Sequence, residues 1–171
     1  METSRILDVA EKMFFAKRYT DVKLDNIANE LNIKKPSLYH YYADKKSLYV
    51  ATLKNSEKKY IQGMKSVMKE NNLNNFILRY LEFPYKSKNL FGIAFQQQFC
   101  IDDQIKLQIL KGKFHIMEEI KLFLKDYGLS DIKIYLIMNL LEKLSQNNCI
   151  EGNCLKYELG DLSNEIEKLI R

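Results

Sequence analysis

Lys34-Lys35-Pro36-Ser37-Leu38-Tyr39-His40-Tyr41-Tyr42 is the stretch on which the fold turns. Proline is favoured in the first turn of a helix, where its missing N–H would have had no partner. The spacing therefore predicts a short helix over about 35–42, opened by two lysines and carrying mostly polar and aromatic side chains. Upstream, Leu24, Ile27, Ala28 and Leu31 recur at helical spacing, and Asn32 follows. Asparagine tolerates the left-handed conformation that ends helices. Two short helices joined by a tight turn, the second exposing polar groups, form a device that reads DNA. The second helix enters the major groove and its first turn approaches the bases.

Ile6, Leu7, Ala10, Met13 and Phe14 predict a helix over roughly residues 3–18, with Thr3 or Ser4 as its cap. Downstream, Asp44 is the expected N-cap of a long fourth helix. Leu48, Leu53, Tyr60, Met64 and Val67 keep its period. At 1.5 Å per residue it would span close to 40 Å and tie one domain to another. Further helices are expected near 74–85, 88–100, 103–126, 130–147 and 155–170, with breaks at Pro84, Gly128 and 147–153. No segment alternates with period two. The expectation is an all-α protein of about nine helices: a helix-turn-helix domain over 1–50 and a helical regulatory domain over 51–171.

Charge supports this division of labour. The chain of 171 residues carries +5 overall. Between Lys34 and Lys59 stand seven lysines against Asp44 and Glu57, so +5 sits in that window and the remainder sums to zero. A local basic patch is what a phosphate-binding surface requires. Hydrophobic residues make up 46%, enough for a core, yet no long uncharged apolar run would span a membrane. The N-terminus lacks the apolar stretch of a secretion signal, so the cytoplasm is expected. Cys100, Cys149 and Cys154 suit neither a disulfide framework nor, with His40 and His115 remote from them in sequence, a zinc site. No phosphate loop, nucleophile elbow or metal cluster is present, so no enzyme activity, cofactor or metal is expected.

Arg5-Ile6-Leu7, Ala10, Phe14, Tyr19, Ile27-Ala28, Ile33, the run Ser37 to Tyr42, Lys45 and Leu48 fall at spacings that resemble the N-terminal signature of the TetR family. The resemblance covers about 45 residues. It implies a homodimeric regulator, usually a repressor, that binds double-stranded operator DNA and answers to a small-molecule inducer. It places Lys35, Pro36, Ser37, His40 and Tyr41 at the groove, with Lys34 beside them. Tyr39 and Lys45 would hold phosphates, and Lys23 would meet the backbone where helix two begins. Lys35 is the expected guanine contact. Arg18 stands where the family has glycine, Val22-Lys23 where it has a Thr/Ser cap, and Asn32 where it has the turn glycine.

The family pairs its last two helices with those of a second subunit. That assigns Tyr135, Met138, Leu141, Leu162, Ile166 and Leu169 to a dimer interface. Tyr80, Phe83, Phe91, Phe95, Phe99, Phe114 and Met117 are the expected pocket for an apolar or aromatic ligand. Such side chains suit an adaptable pocket or an ordinary core equally well. The alternative to a DNA-binding regulator is a helical protein-interaction module without specific DNA binding.

Overall fold

The computed structural model describes residues 3–69, 72–97, 102–150 and 159–170, without the side chains of 84–85, 95–97, 145–150, 159, 162, 169 and 170. Every regular element among them is helical. Helix α1 (Thr3–Ala16) buries Ile6, Ala10 and Phe14, which stand four residues apart on one face. A single 3-10 turn at Tyr19–Asp21 follows, which no periodicity announces. Helix α2 (Leu24–Glu30) starts at Lys23 without a side-chain cap, and Asp25 in its first turn supplies the negative charge that the helix dipole favours there.

Asn32 ends α2 at φ 57°. The Ile33 N–H donates to the Ala28 carbonyl and the Asn32 N–H to that of Asn29, both at 3.0 Å. These two bonds make a Schellman motif, which satisfies carbonyls the helix end would otherwise leave unpaired. Helix α3 is Lys35–Tyr39, shorter than the expected 35–42. The Tyr41 and Tyr42 N–H groups both turn back to the Leu38 carbonyl at 3.1 Å, so the chain beyond Tyr39 continues as tight turns.

Helix α4 (Lys45–Val67) opens on the expected cap. The Ser47 N–H donates to Asp44 Oδ1 at 2.6 Å, and the Asp44 N–H to Ser47 Oγ at 3.1 Å, a reciprocal capping box. The Ser47 N–H bond, foremost, holds the Asp44 carboxyl below its ordinary range. A depressed folded-state pKa means that the cap is fully effective above the unfolded value of about 3.9 and weakens as pH falls through the folded one. Asp44→Ala should therefore lower the melting temperature at pH 7, and the gap from wild type should narrow as pH drops towards 2. Circular-dichroism melts would show an equal gap at both pH values if the charge took no part.

Helices α5 (Leu73–Ser87), α6 (Leu90–Gln97), α7 (Asp103–Lys125), α8 (Asp131–Ile150) and α9 (Leu159–Ile170) complete the chain. The backbone stays helical through Pro84, where a break was expected, and α5 ends instead at Lys88 with φ 44°. Two hydrophobic clusters hold these elements. The first joins α1 to α3 and the start of α4, and it also takes in Leu90, Ile105 and Ile109 from α6 and α7. The second is built on Tyr60, Phe76, Tyr80, Phe91, Ile116 and their neighbours. Helix α4 runs through both, with Leu48 and Leu53 in one and Tyr60, Met64 and Val67 in the other.

Several expected pocket and interface residues sit elsewhere than foreseen. Phe91 and Tyr80 are buried within the second cluster, where aromatic rings pack on one another. Phe114 is 69% exposed on the outer face of α7, so it lines no internal cavity. Phe83 and Met117 are half-buried. The Phe95 and Phe99 side chains lie outside the described residues. In the expected dimer face, Leu141 and Ile166 point into the chain's own core, which leaves them no area to offer a second copy. Met138 packs against that core and Tyr135 is exposed. The Leu162 and Leu169 side chains lie outside the described residues.

Candidate nucleic-acid interface

The α2–turn–α3 unit displays most of the residues the sequence singled out. Leu38 is buried and Tyr42 partly so, and they anchor α3 to the first cluster. The opposite side stays open: Lys23, Lys34, Pro36, Tyr39, His40 and Tyr41 are exposed, and Lys35 and Ser37 are partly so. Tyr39 keeps 46% of its surface in solvent. The segment thus offers hydroxyls, an imidazole and ammonium groups from one short stretch, the group types that meet phosphates and base edges.

Lys35 is not idle. Its Nζ lies 2.8 Å from Asp25 Oδ2 across the turn. The hydrogen bond holds the carboxyl below its ordinary pKa and raises that of the ammonium. Asp25 was not a candidate in the sequence, because its partner is ten residues away and no helical spacing links them. The pair is exposed, so a base edge can compete for the ammonium at little cost.

Lys45 is placed differently from the expectation that it holds a phosphate. Its Nζ donates to the Thr20 carbonyl at 3.1 Å and lies 4.5 Å from the Tyr19 ring centre. Burial lowers its pKa. Tyr19 in turn stands edge-on to Tyr49, and Tyr49 edge-on to Phe14, with ring centres 4.8 and 4.7 Å apart. In this structure Lys45 clamps the 3-10 turn onto the start of α4.

The basic window is also more neutralised than its sequence suggests. Lys46 pairs with Asp102, the N-cap of α7, at 3.4 Å, and Lys59 with Asp8 and Glu11 at 2.8 Å each. Lys46 ties the start of α4 to the start of α7, and Lys59 ties α4 to α1. Behind them lies a buried polar junction. Ser56 Oγ donates to Glu11 Oε1 at 2.6 Å and accepts the Phe91 N–H at 3.0 Å, while Asn89 Nδ2 donates to the Ser56 carbonyl at 3.0 Å. This junction fixes α1, α4 and the start of α6 to one another.

A family profile described as "Bacterial regulatory proteins, tetR family" matches residues 6–52. The biofilm operon icaADBC HTH-type negative transcriptional regulator IcaR of Staphylococcus epidermidis is 30% identical over 106 residues, covering 61% of this chain. The chain spans about half the length of that relative, 50% by the aligned share. The fold is similar to that of a TetR transcriptional regulator from Legionella pneumophila, with a TM-score of 0.74 and 20% identity, over 100% of this chain and 98% of the other. It is similar too to the regulator FadR of Bacillus subtilis in complex with stearoyl-CoA, with a TM-score of 0.66 and 16% identity, over 99% and 97% of the two chains. No helix among the described residues is long and apolar enough to cross a membrane. Residues 6–52 thus carry the signature of the tetR family of bacterial regulatory proteins, and the all-helical fold behind it is similar to that of a TetR transcriptional regulator.

Proposed function

We propose that the protein is a sequence-specific DNA-binding repressor that works as a homodimer and leaves its operator when a small apolar or aromatic ligand binds. The observation that carries this reading is the Schellman-closed turn that presents the exposed polar face of α3. Two copies are required because two recognition helices must stand about one DNA turn, roughly 34 Å, apart. In this reading Lys23, Lys34, Tyr39 and Tyr41 hold phosphates and fix the register. Lys35, Ser37 and His40, with Pro36 beside them, face the base edges.

The ligand half of the proposal draws on the stearoyl-CoA complex of the FadR relative. A cleft of about 710 Å³ lies between α1, α4 and the α5–α6 junction, floored by Phe15, Tyr60 and Phe83. A ligand there would press on α1 and on the polar junction together. It weakens operator binding by its differential affinity for the two arrangements.

The test is fluorescence anisotropy on operator fragments selected from genomic DNA, at several salt concentrations. Wild type should show a steep decline of log affinity with log salt. Lys23→Ala and Lys34→Ala should each reduce that slope by about 0.9 and weaken binding to all sequences alike. Lys35→Ala should also cut discrimination at one base position, by about tenfold or more. Binding that ignores salt and these substitutions would return the protein to the interaction-module reading.

A further inference from the structure

Asp25 lies in the first turn of α2, and Lys35 is the first residue of α3. The turn at Asn32 brings them together, with Lys35 Nζ 2.8 Å from Asp25 Oδ2. Lys35 keeps 41% and Asp25 54% of its side-chain surface in solvent. The turn does not depend on this pair. Its angle is fixed by the two backbone bonds at Asn32 and by Ile27, Leu31 and Leu38 in the first cluster. An exposed ion pair adds little to that. On a surface that meets phosphates a carboxylate is also unfavourable, because it repels the DNA backbone. It becomes favourable only where the DNA offers it a donor. The bond to Lys35 keeps the Asp25 carboxyl below its ordinary range, so the group is ionised and can only accept.

The G·C pair is the one whose edge matches. In the major groove it shows two adjacent acceptors, guanine N7 and O6, and next to them one donor, cytosine N4–H. O6 and N4 are themselves joined by a Watson–Crick hydrogen bond about 2.9 Å long. The Nζ–Oδ2 separation of 2.8 Å matches that spacing. The ammonium can therefore donate to guanine while the carboxylate beside it accepts the free N4–H. Lysine has three donors, so two bonds to guanine leave the third on Asp25. An A·T pair places its donor, adenine N6, between two acceptors, N7 and O4. There the ammonium meets a single acceptor, and the carboxylate faces a further acceptor beyond the donor. A C·G pair has the matching groups in the reverse order.

We infer that Asp25 and Lys35 act as one unit that reads a G·C pair in each half-site, Lys35 on guanine O6 and N7 and Asp25 on the cytosine N4–H. This rests on the DNA-binding reading above, in which Lys35 faces the bases, and it makes Asp25 a specificity-determining residue. A lone ammonium binds a phosphate oxygen as readily as a base. The charge pair is neutral as a whole, so a phosphate gains little from it, whereas the base edge meets both of its groups.

The test is selection of duplexes from a random pool by the full chain, then anisotropy on the selected site, with circular dichroism as the fold control. Wild type should select a G·C pair in each half-site, and Lys35→Ala should accept any pair there. Asp25→Ala should relax that same pair by about tenfold, while its affinity for unrelated DNA does not fall. The double variant should relax it little further than either single change, since the two groups act together. N4-methylcytosine opposite the guanine replaces the hydrogen that points into the groove. It should weaken wild type by about tenfold and leave Asp25→Ala unchanged. Asp25→Ala that keeps the base preference, tightens all DNA alike and steepens the salt slope by about 0.9 overturns the inference, because the carboxylate then only withholds Lys35 from phosphates. A Lys35-dependent pair other than G·C, relaxation by Asp25→Ala at a different pair, or equal sensitivity of both proteins to N4-methylcytosine also overturns it, with DNA binding intact. A wild type that selects no sequence removes the DNA-binding reading, and this inference with it.

Discussion

Replacing Phe91 by alanine is expected to destabilise the fold by about 3–5 kcal/mol, the usual range for a fully enclosed aromatic. The side chain is 0% exposed and its ring centre lies 5.8 Å from that of Tyr60. Its ring also occupies the place that a side chain at Gly112 would need. A Cβ there would stand 2.5 Å from Phe91 Cζ and 2.8 Å from Glu57 Cδ. Helices α4, α6 and α7 therefore interlock through one ring and one missing methyl group. At 2–4 °C per kcal/mol for a chain of this length, the melting temperature should fall by roughly 6–20 °C. Differential scanning calorimetry reads this directly. If Phe91 lined a ligand void, as its sequence context allowed, truncation would enlarge an existing space at small cost. A loss under about 1 kcal/mol would restore that reading.

Asn32→Val should separate the turn from the helices it joins. Asn32 is exposed and contributes no buried surface, so packing does not suffer from the change. Its φ of 57°, however, lies where a β-branched side chain collides with its own backbone. The strain amounts to about 1–3 kcal/mol. It can be relieved only by undoing the bonds from Ile33 to Ala28 and from Asn32 to Asn29. The reading helix would then lose its fixed angle to α2. Operator affinity should fall by about a hundredfold, equivalent to one or two base contacts. Asn32→Gly accepts the same conformation and should stay within about 0.5 kcal/mol of wild type and bind normally. Comparable DNA binding by the valine and glycine variants would show that the turn does not orient α3.

How much of this was legible in the chain depended on whether the cause was local. The Asp44 cap, the uncapped Lys23 and the Asn32 helix end are written within four residues of where they act, and each appears in the structure as read. The 3-10 turn at Tyr19–Asp21 is too short to have a period, so nothing announced it. Lys45 shows a second limit. Its charge and place in the motif suggest a phosphate contact, but which group it meets was settled by a chain reversal that brings Thr20 and Tyr19 beside it. The aromatic residues show a third. A core and a pocket draw on the same side chains, and only the packing of Tyr60, Phe76 and Phe91 tells them apart. For α9, the period places Ile166 on the apolar side, and the topology buries that residue where α9 packs on α5.

The first hydrophobic cluster has a bearing on how this protein can be recombined. Leu90, Ile105 and Ile109 contribute to the same core as Ile6, Ile27 and Leu38, although some fifty residues or more separate the two groups. A chimera cut near residue 50 would therefore inherit half of a core. The transplanted α1 and the start of α4 would meet foreign side chains at three positions of the core that they share. Modular exchange of DNA specificity in this chain needs a discontinuous graft. Residues 3–53 would have to travel with matched positions 90, 105 and 109, together with Asp102, which holds Lys46.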